Sequence, residues 1–137
     1  MVIDASVWVS FFVPTDKFHA QTVAWLEAML TGGDSLIAPT LLLPEVAGAV
    51  ARASHSAYLG KETAQQILLW PHLRLVPLDE KLMLLAIELA SALHTKGADA
   101  IYVATARMEG VPLITWDIEQ RTRGGIIVST RSPGDLL

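Results

Sequence analysis

Short apolar runs alternate with longer segments of mixed polarity along most of the chain. Five runs have the length and composition of buried β-strands, at about residues 2–3, 35–38, 73–76, 112–115 and 126–128. In the segments between them, apolar residues recur at the three- and four-residue spacing of one helix face. Strands that alternate with helices in this way predict an α/β sandwich around a mostly parallel sheet.

Six segments are predicted to be helices, at about residues 6–12, 16–31, 40–54, 60–70, 79–96 and 99–108. Asp16 and Asp79 are the predicted N-caps of two of them, because a short acidic side chain accepts hydrogen bonds from the free N–H groups of a first helical turn. Asp99 is predicted to start the last helix. The final six residues, 132–137, are predicted to be a tail.

The composition narrows the class of protein. A length of 137 residues predicts a single domain over residues 1–137. Hydrophobic residues make up 52% of the chain, so part of the apolar surface is expected to cover an interface. The absence of cysteine excludes disulfides and thiolate metal sites and agrees with a cytoplasmic location. The sequence shows no signal peptide, and no apolar run approaches the ~18 residues of a membrane helix.

The net charge is −4, from 14 acidic and 10 basic residues. This balance argues against a protein that coats nucleic acid through a basic patch. It is compatible with a metal-dependent site, because bound divalent cations offset the charge of acidic ligands.

Four acidic residues follow predicted strands or begin predicted helices: Asp4, Glu45, Asp99 and Asp117. Each has an ordinary structural explanation as a helix cap, a first-turn acid or a turn residue. The carboxyl ends of parallel strands, however, meet at one edge of a sheet, where ligands bind. Carboxylates collected there repel one another unless cations lie among them, and Mg²⁺ and Mn²⁺ prefer such oxygen ligands.

Four stretches of the chain resemble the motifs of a PIN domain and, more narrowly, of the VapC toxins of VapBC toxin–antitoxin pairs. They are Val-Ile-Asp-Ala-Ser-Val (2–7), Ala-Pro-Thr-Leu-Leu-Leu-Pro-Glu-Val (38–46), Gly-Ala-Asp-Ala-Ile-Tyr-Val-Ala-Thr-Ala (97–106) and Leu-Ile-Thr-Trp-Asp (113–117). The resemblance implies a three-layer α/β/α fold with a central parallel sheet of about five strands. It also implies an endoribonuclease that depends on Mg²⁺ or Mn²⁺, a homodimer, and a VapB-type antitoxin that inserts a segment into the active-site groove.

By motif, the resemblance assigns the catalytic and metal-binding roles to Asp4, Glu45, Asp99 and Asp117, and it places small hydroxyl residues at Ser6 and Thr115. These hydroxyls would orient a carboxylate or a water.

The segment after Asp117 leaves several assignments open. Glu119 is either an extra metal ligand or a solvent-facing loop residue, and the second is favoured. Gln120 stands where many relatives carry an aromatic residue. Arg121 and Arg123 either contact RNA phosphates or belong to a solvated loop. Trp116 is expected to pack against a helix rather than stack on a base. The four histidines have no ligand spacing and are interpreted as structural or exposed.

Two other function classes remain for comparison. A phosphatase of the haloacid dehalogenase type needs a second Asp two residues after the first, and Ser6 stands there. A PIN-like scaffold that binds RNA or a partner without cutting it is the non-enzymatic alternative. All four acids of the motifs are present, which favours the enzyme.

Overall fold

Strands and helices alternate along the chain in the computed structural model, which describes residues 1–137. The five strands are β1 (Val2–Ile3), β2 (Leu36–Pro39), β3 (Leu73–Val76), β4 (Leu113–Ile114) and β5 (Thr130–Arg131). The α-helices are α1 (Ala5–Phe12), α2 (His19–Gly32), α3 (Leu42–Ser54), α4 (Ala57–Leu68), α5 (Glu80–Leu93), α6 (Gly97–Glu109) and α7 (Ile118–Gly124). A 3₁₀ helix, Pro133–Leu136, follows β5.

The strands form one sheet in the order β3-β2-β1-β4-β5, and every neighbouring pair is parallel. β1 is central, with Val2 in register with Ile37 on one side and Leu113 on the other. All strands therefore present their carboxyl ends at the same edge, which we call the carboxyl edge. The prediction of a parallel five-stranded sheet is confirmed.

Helices cover both faces of the sheet and bury two apolar clusters. One cluster joins the sheet to α1–α4, and it includes Trp8, Trp25, Leu26, Leu42 and Ile67. The other joins the sheet to α5 and α6, and it includes Leu82, Leu89, Tyr102, Val103 and Leu113. The molecule is thus the three-layer α/β/α sandwich expected from the sequence. No helix combines the length and the apolar character needed to cross a membrane.

Of the two predicted N-caps, Asp79 and Asp16, the first is confirmed and the second is not. Asp79 accepts a hydrogen bond from Leu82 N–H at 2.9 Å and starts α5. Asp16 was predicted to cap α2, and that prediction is wrong, because the helix begins three residues later at His19. The carboxylate of Asp16 instead closes the preceding loop, accepting from Ser10 Oγ at 2.9 Å and Phe18 N–H at 2.8 Å.

The C-terminal region differs most from its prediction. The last strand is Thr130–Arg131 rather than residues 126–128, because the N–H groups of Ile127 and Val128 both donate to Gly124 O and form a turn. The expected tail is a 3₁₀ helix that begins with a reciprocal capping box between Ser132 and Asp135.

The histidines have structural positions, as expected. His55 and His94 adopt left-handed backbone conformations at the ends of α3 and α5, and His72 does so before β3. The ring of His19 lies 2.9 Å from Ser10 O.

Replacement of Gly60 by alanine should destabilise the fold, because α3 and α4 pack closely there. A Cβ atom at Gly60 would lie 2.5 Å from Ala47 O and 3.0 Å from Ala51 Cβ. We expect Gly60→Ala to lower the free energy of unfolding by about 1–3 kcal/mol, measured by urea denaturation. The matched control is Gly97→Ala at the start of α6, where a Cβ meets nothing within 4 Å. An equal loss in both variants would contradict the prediction.

Candidate active site

Asp4 lies at the carboxyl end of the central strand and is the N-cap of α1. Its carboxylate is almost completely buried. Atom Oδ2 accepts hydrogen bonds from Ser6 N–H at 3.0 Å and from Thr115 Oγ1 at 2.9 Å. Atom Oδ1 has one distant donor, Gln120 Nε2 at 3.4 Å. Atom Oδ2 of Asp4 therefore has two hydrogen-bond donors from the protein, and Oδ1 remains able to accept a further hydrogen bond or to bind a cation.

The hydroxyl groups of Ser6 and Thr115 join the ends of β1 and β4. Their oxygens lie 3.2 Å apart. Thr115 Oγ1 accepts from Asp117 N–H at 3.0 Å, and Ser6 Oγ accepts from Trp116 N–H at 3.0 Å. The two hydroxyls thus hold the backbone around Asp117 against the site of Asp4.

Asp117 follows β4 and begins α7. Its Oδ1 accepts from Gln120 N–H at 2.9 Å, so the residue is a helix N-cap. The structural explanation as a capping residue therefore holds, and the cap also places the carboxylate of Asp117 at the carboxyl edge.

Glu45 lies in the first turn of α3 and is half-buried. The hydroxyl of Tyr102 donates a hydrogen bond to Glu45 Oε2 at 2.6 Å. Burial, followed by the charges of Asp4 and Glu45, places the pKa of Tyr102 well above its usual value, so this hydroxyl remains the proton donor. Tyr102 lies three residues after Asp99, on the same face of α6.

Three of the four carboxylates, Asp4, Glu45 and Asp99, have raised pKa values, and neighbouring negative charges contribute at Glu45 and Asp99. The pKa of Asp99 is raised from 3.8 to about 6 by burial and then by the charges of Asp4 and Asp117, with a smaller effect from Glu45. Burial raises the pKa of Asp4 despite hydrogen bonds from Ser6, Thr115 and Gln120. Burial also raises the pKa of Glu45, opposed by the Tyr102 hydrogen bond and reinforced by Asp4. A nearby cation would relieve this electrostatic cost.

The donor set suits a hard divalent cation. It consists of carboxylate oxygens, which Mg²⁺ and Mn²⁺ prefer, and it contains no thiolate or imidazole. No three acidic or histidine side chains are gathered closely enough to form a complete set of ligands. Water would therefore have to complete the shell of a bound ion, as it commonly does for Mg²⁺.

Two residues at the site, Tyr102 and Gln120, were not predicted. Gln120 is buried, donates to Asp4 and leaves its own Oε1 without a partner. The sequence contains one indication that Tyr102 belongs to the site, because this residue lies one helical turn after Asp99. For Gln120 it offered only the departure from the expected aromatic residue.

Charged residues of α7 are engaged in local contacts. Glu119 is exposed, as favoured, and pairs with Arg123 at 3.0 Å, but it lies in the first turn of α7 and not in a loop. Arg123 also donates to the carbonyl groups of Leu93 and His94 at the end of α5. Arg121 pairs with Asp135 at 3.3 Å.

A cavity of about 560 Å³ opens beside the carboxylates. Glu45 and Asp117 line it, and so do Lys17, Phe18, Arg52 and Trp116. The ring of Trp116 stacks on Phe18 and donates from Nε1 to Thr22 Oγ1 at 2.8 Å, which agrees with its expected packing against a helix.

The profile of the PIN domain family matches residues 1–125. The chain belongs to the PIN domain family. A search of curated protein sequences finds no significant match.

Solved structures of toxin and toxin–antitoxin proteins share the PIN fold of this chain. VapC20 of Mycobacterium tuberculosis, described as a sarcin-ricin loop cleaving toxin, has a TM-score of 0.74 and 17% identity, covering 90% of this chain and 94% of that one. VapBC2 of Rickettsia felis, bound to a promoter DNA fragment, has a TM-score of 0.71 and 14% identity, with 96% of each chain covered. A toxin–antitoxin complex of Klebsiella pneumoniae has a TM-score of 0.71 and 17% identity, again with 96% of each chain covered.

The raised pKa of Asp99 predicts a pH-dependent stability of the metal-free PIN domain. Because the pKa is higher in the folded than in the unfolded state, protonation favours folding. This contribution is complete below about pH 3.8 and is lost as the pH rises through about 6. We expect Asp99→Asn to melt at a higher temperature than wild type above pH 6 in EDTA, and at the same temperature near pH 3.8. Glu88→Gln is the control, because this residue is exposed on α5, and its melting temperature should equal that of the wild type at each pH.

Removal of the Tyr102 hydroxyl should raise the pKa of Glu45 further, because the hydrogen bond favours the charged carboxylate. Carboxyl ¹³C NMR titration of Tyr102→Phe in EDTA measures this directly. Tyr58→Phe, on the exposed side of α4, is the control and should leave the Glu45 titration unchanged. An unchanged midpoint in Tyr102→Phe would mean that the hydrogen bond does not form in solution.

Proposed function

We propose that this PIN domain is a divalent-metal-dependent endoribonuclease and the toxin of a VapBC-like toxin–antitoxin pair. The observation that carries the proposal is the convergence of Asp4, Glu45, Asp99 and Asp117 at the carboxyl edge, expressed in the raised pKa of Asp99. Structural ion pairs do not explain this cluster, since no Lys, Arg or His side chain forms a salt bridge with any of the four.

In the proposed site, the four carboxylates hold Mg²⁺ or Mn²⁺. When bound, such ions activate a water and stabilise the charge that develops on a phosphodiester. Thr115 and Ser6 N–H hold one oxygen of Asp4 and direct the other toward the site. Tyr102 holds Glu45 in the same way, and Gln120 limits the movement of Asp4 from the side of α7. Glu119 is not assigned as a ligand.

RNA as substrate is supported by the description of VapC20 as a sarcin-ricin loop cleaving toxin. An antitoxin partner is supported by the toxin–antitoxin complex of Klebsiella pneumoniae among the structural neighbours. We further propose a homodimer that acts in the cytoplasm. Exposed apolar residues at the end of α4 and on α5, such as Leu69 and Ile87, are available to contact a second copy of the chain or the antitoxin.

Cleavage of labelled single-stranded RNA tests the proposal. Purified protein should cut in Mg²⁺ or Mn²⁺ and not in EDTA. Asp4→Asn and Asp99→Asn should each lower the rate at least about 100-fold, because each removes a charge directed at the reacting centre. The control, Asp34→Asn, makes the same change at the opposite edge of the sheet before β2 and should cut like the wild type.

Two results would contradict the proposal. Equal cutting by wild type and both site variants would place the chemistry elsewhere or in a contaminant. Absence of both cutting and Mg²⁺ or Mn²⁺ binding, the latter measured by calorimetry, would favour the alternative of a non-catalytic PIN-like scaffold.

A further inference from the structure

The cavity beside the carboxylates also contains two cationic side chains. Lys17 and Arg52 line it together with Glu45 and Asp117, although neither cation forms a salt bridge with an acid. Cations are the minority charge in this chain, whose net charge is −4, yet both of these remain unpaired next to an acidic cluster. They are therefore available to an anionic ligand.

Arg52 is directed toward the carboxylates by the geometry of α3. It lies seven residues after Glu45, which is two helical turns or about 10 Å along the axis. Side chains on a helix lean toward its N-terminus. A Cβ atom at Gly48 would be 3.3 Å from Arg52 Nη1, so the guanidinium lies over this glycine, one turn closer to Glu45. It thus reaches into the cavity from the side of α3.

Phe18 offers an aromatic surface in the same cavity. Trp116 stacks in parallel on one face of the Phe18 ring, with centroids 4.1 Å apart. The ammonium group of Lys17 lies 4.7 Å from the ring centroid. Trp116 leaves no room for it on the stacked face, so Lys17 covers the other one. This contact contributes little at an exposed site and can be exchanged for a planar group.

We propose that this cavity is a subsite for one unpaired nucleotide of the RNA substrate. Arg52 binds a phosphate of the nucleotide, and its base stacks on the face of Phe18 that Lys17 now covers. Lys17 moves from the ring to a neighbouring phosphate. The inference rests on the proposed function, since it takes the ligand to be RNA, and it places the phosphate contacts at α3 and the loop before α2.

The charges and shapes favour a nucleotide over a peptide of a protein partner. Base stacking on an aromatic ring and phosphate binding by unpaired cations are the two usual contacts of single-stranded nucleic acid. Side chains suited to both contacts, Phe18 for stacking and Arg52 and Lys17 for phosphate, line one cavity that also includes Glu45. Arg121 and Arg123, the residues that the sequence offered for RNA contact, are paired with Asp135 and Glu119.

Binding without cleavage tests the subsite. The parent protein for this assay is the Asp99→Asn variant in EDTA. The substitution removes one negative charge that would repel RNA, and EDTA removes divalent metal ions. The probes are a fluorescein-labelled uridine octamer and a chain of the same length with abasic sugars, both followed by anisotropy. We expect Arg52→Gln to weaken binding of both probes about tenfold. In a plot of the logarithm of the binding constant against the logarithm of the salt concentration, the slope of this variant should be shallower by about 0.7 for each phosphate that it no longer binds. Lys17→Gln should act in the same direction.

Phe18→Leu separates stacking from charge, because it keeps an apolar side chain against Trp116 but removes the ring. It should weaken binding of the uridine octamer about fivefold and leave the abasic chain unaffected. Arg107→Gln removes the same charge as Arg52→Gln at the far end of α6 and should bind like the parent protein. Thermal unfolding of each variant checks that it is folded.

The same Kd for the parent protein, Arg52→Gln and Phe18→Leu would overturn the proposal and leave the cavity to a protein partner. Absence of measurable binding by the parent protein would overturn it as well. The cleavage proposal is judged separately by its own assay, because no RNA is cut in this one. Conversely, a protein that fails to cut RNA can still show the predicted pattern of binding.

Discussion

Burial of the Asp4 carboxylate is the constraint on which the site depends. A carboxylate removed from water needs hydrogen bonds, or its neutral form becomes favoured. Ser6 and Thr115 provide these bonds, although they are 109 residues apart in the chain. The first strand, the first helix and the fourth strand are consequently joined at a single side chain. Movement of β4 against β1 would remove the Thr115 hydroxyl from this buried carboxylate.

The same arrangement collects negative charge that the protein does not neutralise. The parallel sheet brings the ends of β1, β2 and β4 to one edge, and the helices that follow carry the acids into it. Asp99 shows this cost, because burial raises its pKa and the charges of Asp4 and Asp117 raise it further. Folding thus maintains an electrostatic cost at the position where a cation would bind, which is common in functional sites.

The cavity beside the acidic cluster also contains positively charged and aromatic side chains. Lys17 and Arg52 bring positive charge to a cavity that an aromatic pair, Phe18 and Trp116, also lines. Acidic groups that suit a metal therefore adjoin basic and aromatic groups that suit a nucleotide. Binding of an anionic ligand depends on the charges that line its site more than on the net charge of the chain. A chain with a net negative charge is therefore compatible with the proposed action on RNA.

Local signals in the sequence determined the alternation of strands and helices, the parallel sheet and the positions of the four acids. Apolar spacing and strand-end position are properties of neighbouring residues, so they can be read without the fold. The hydrogen bond of Tyr102 to Glu45 joins residues 57 apart, and that of Gln120 to Asp4 joins residues 116 apart. These pairs depend on which helix faces meet across the sheet. The position of β5 was likewise decided by tertiary structure, because a two-residue strand has little local signal and forms where β4 offers free backbone groups.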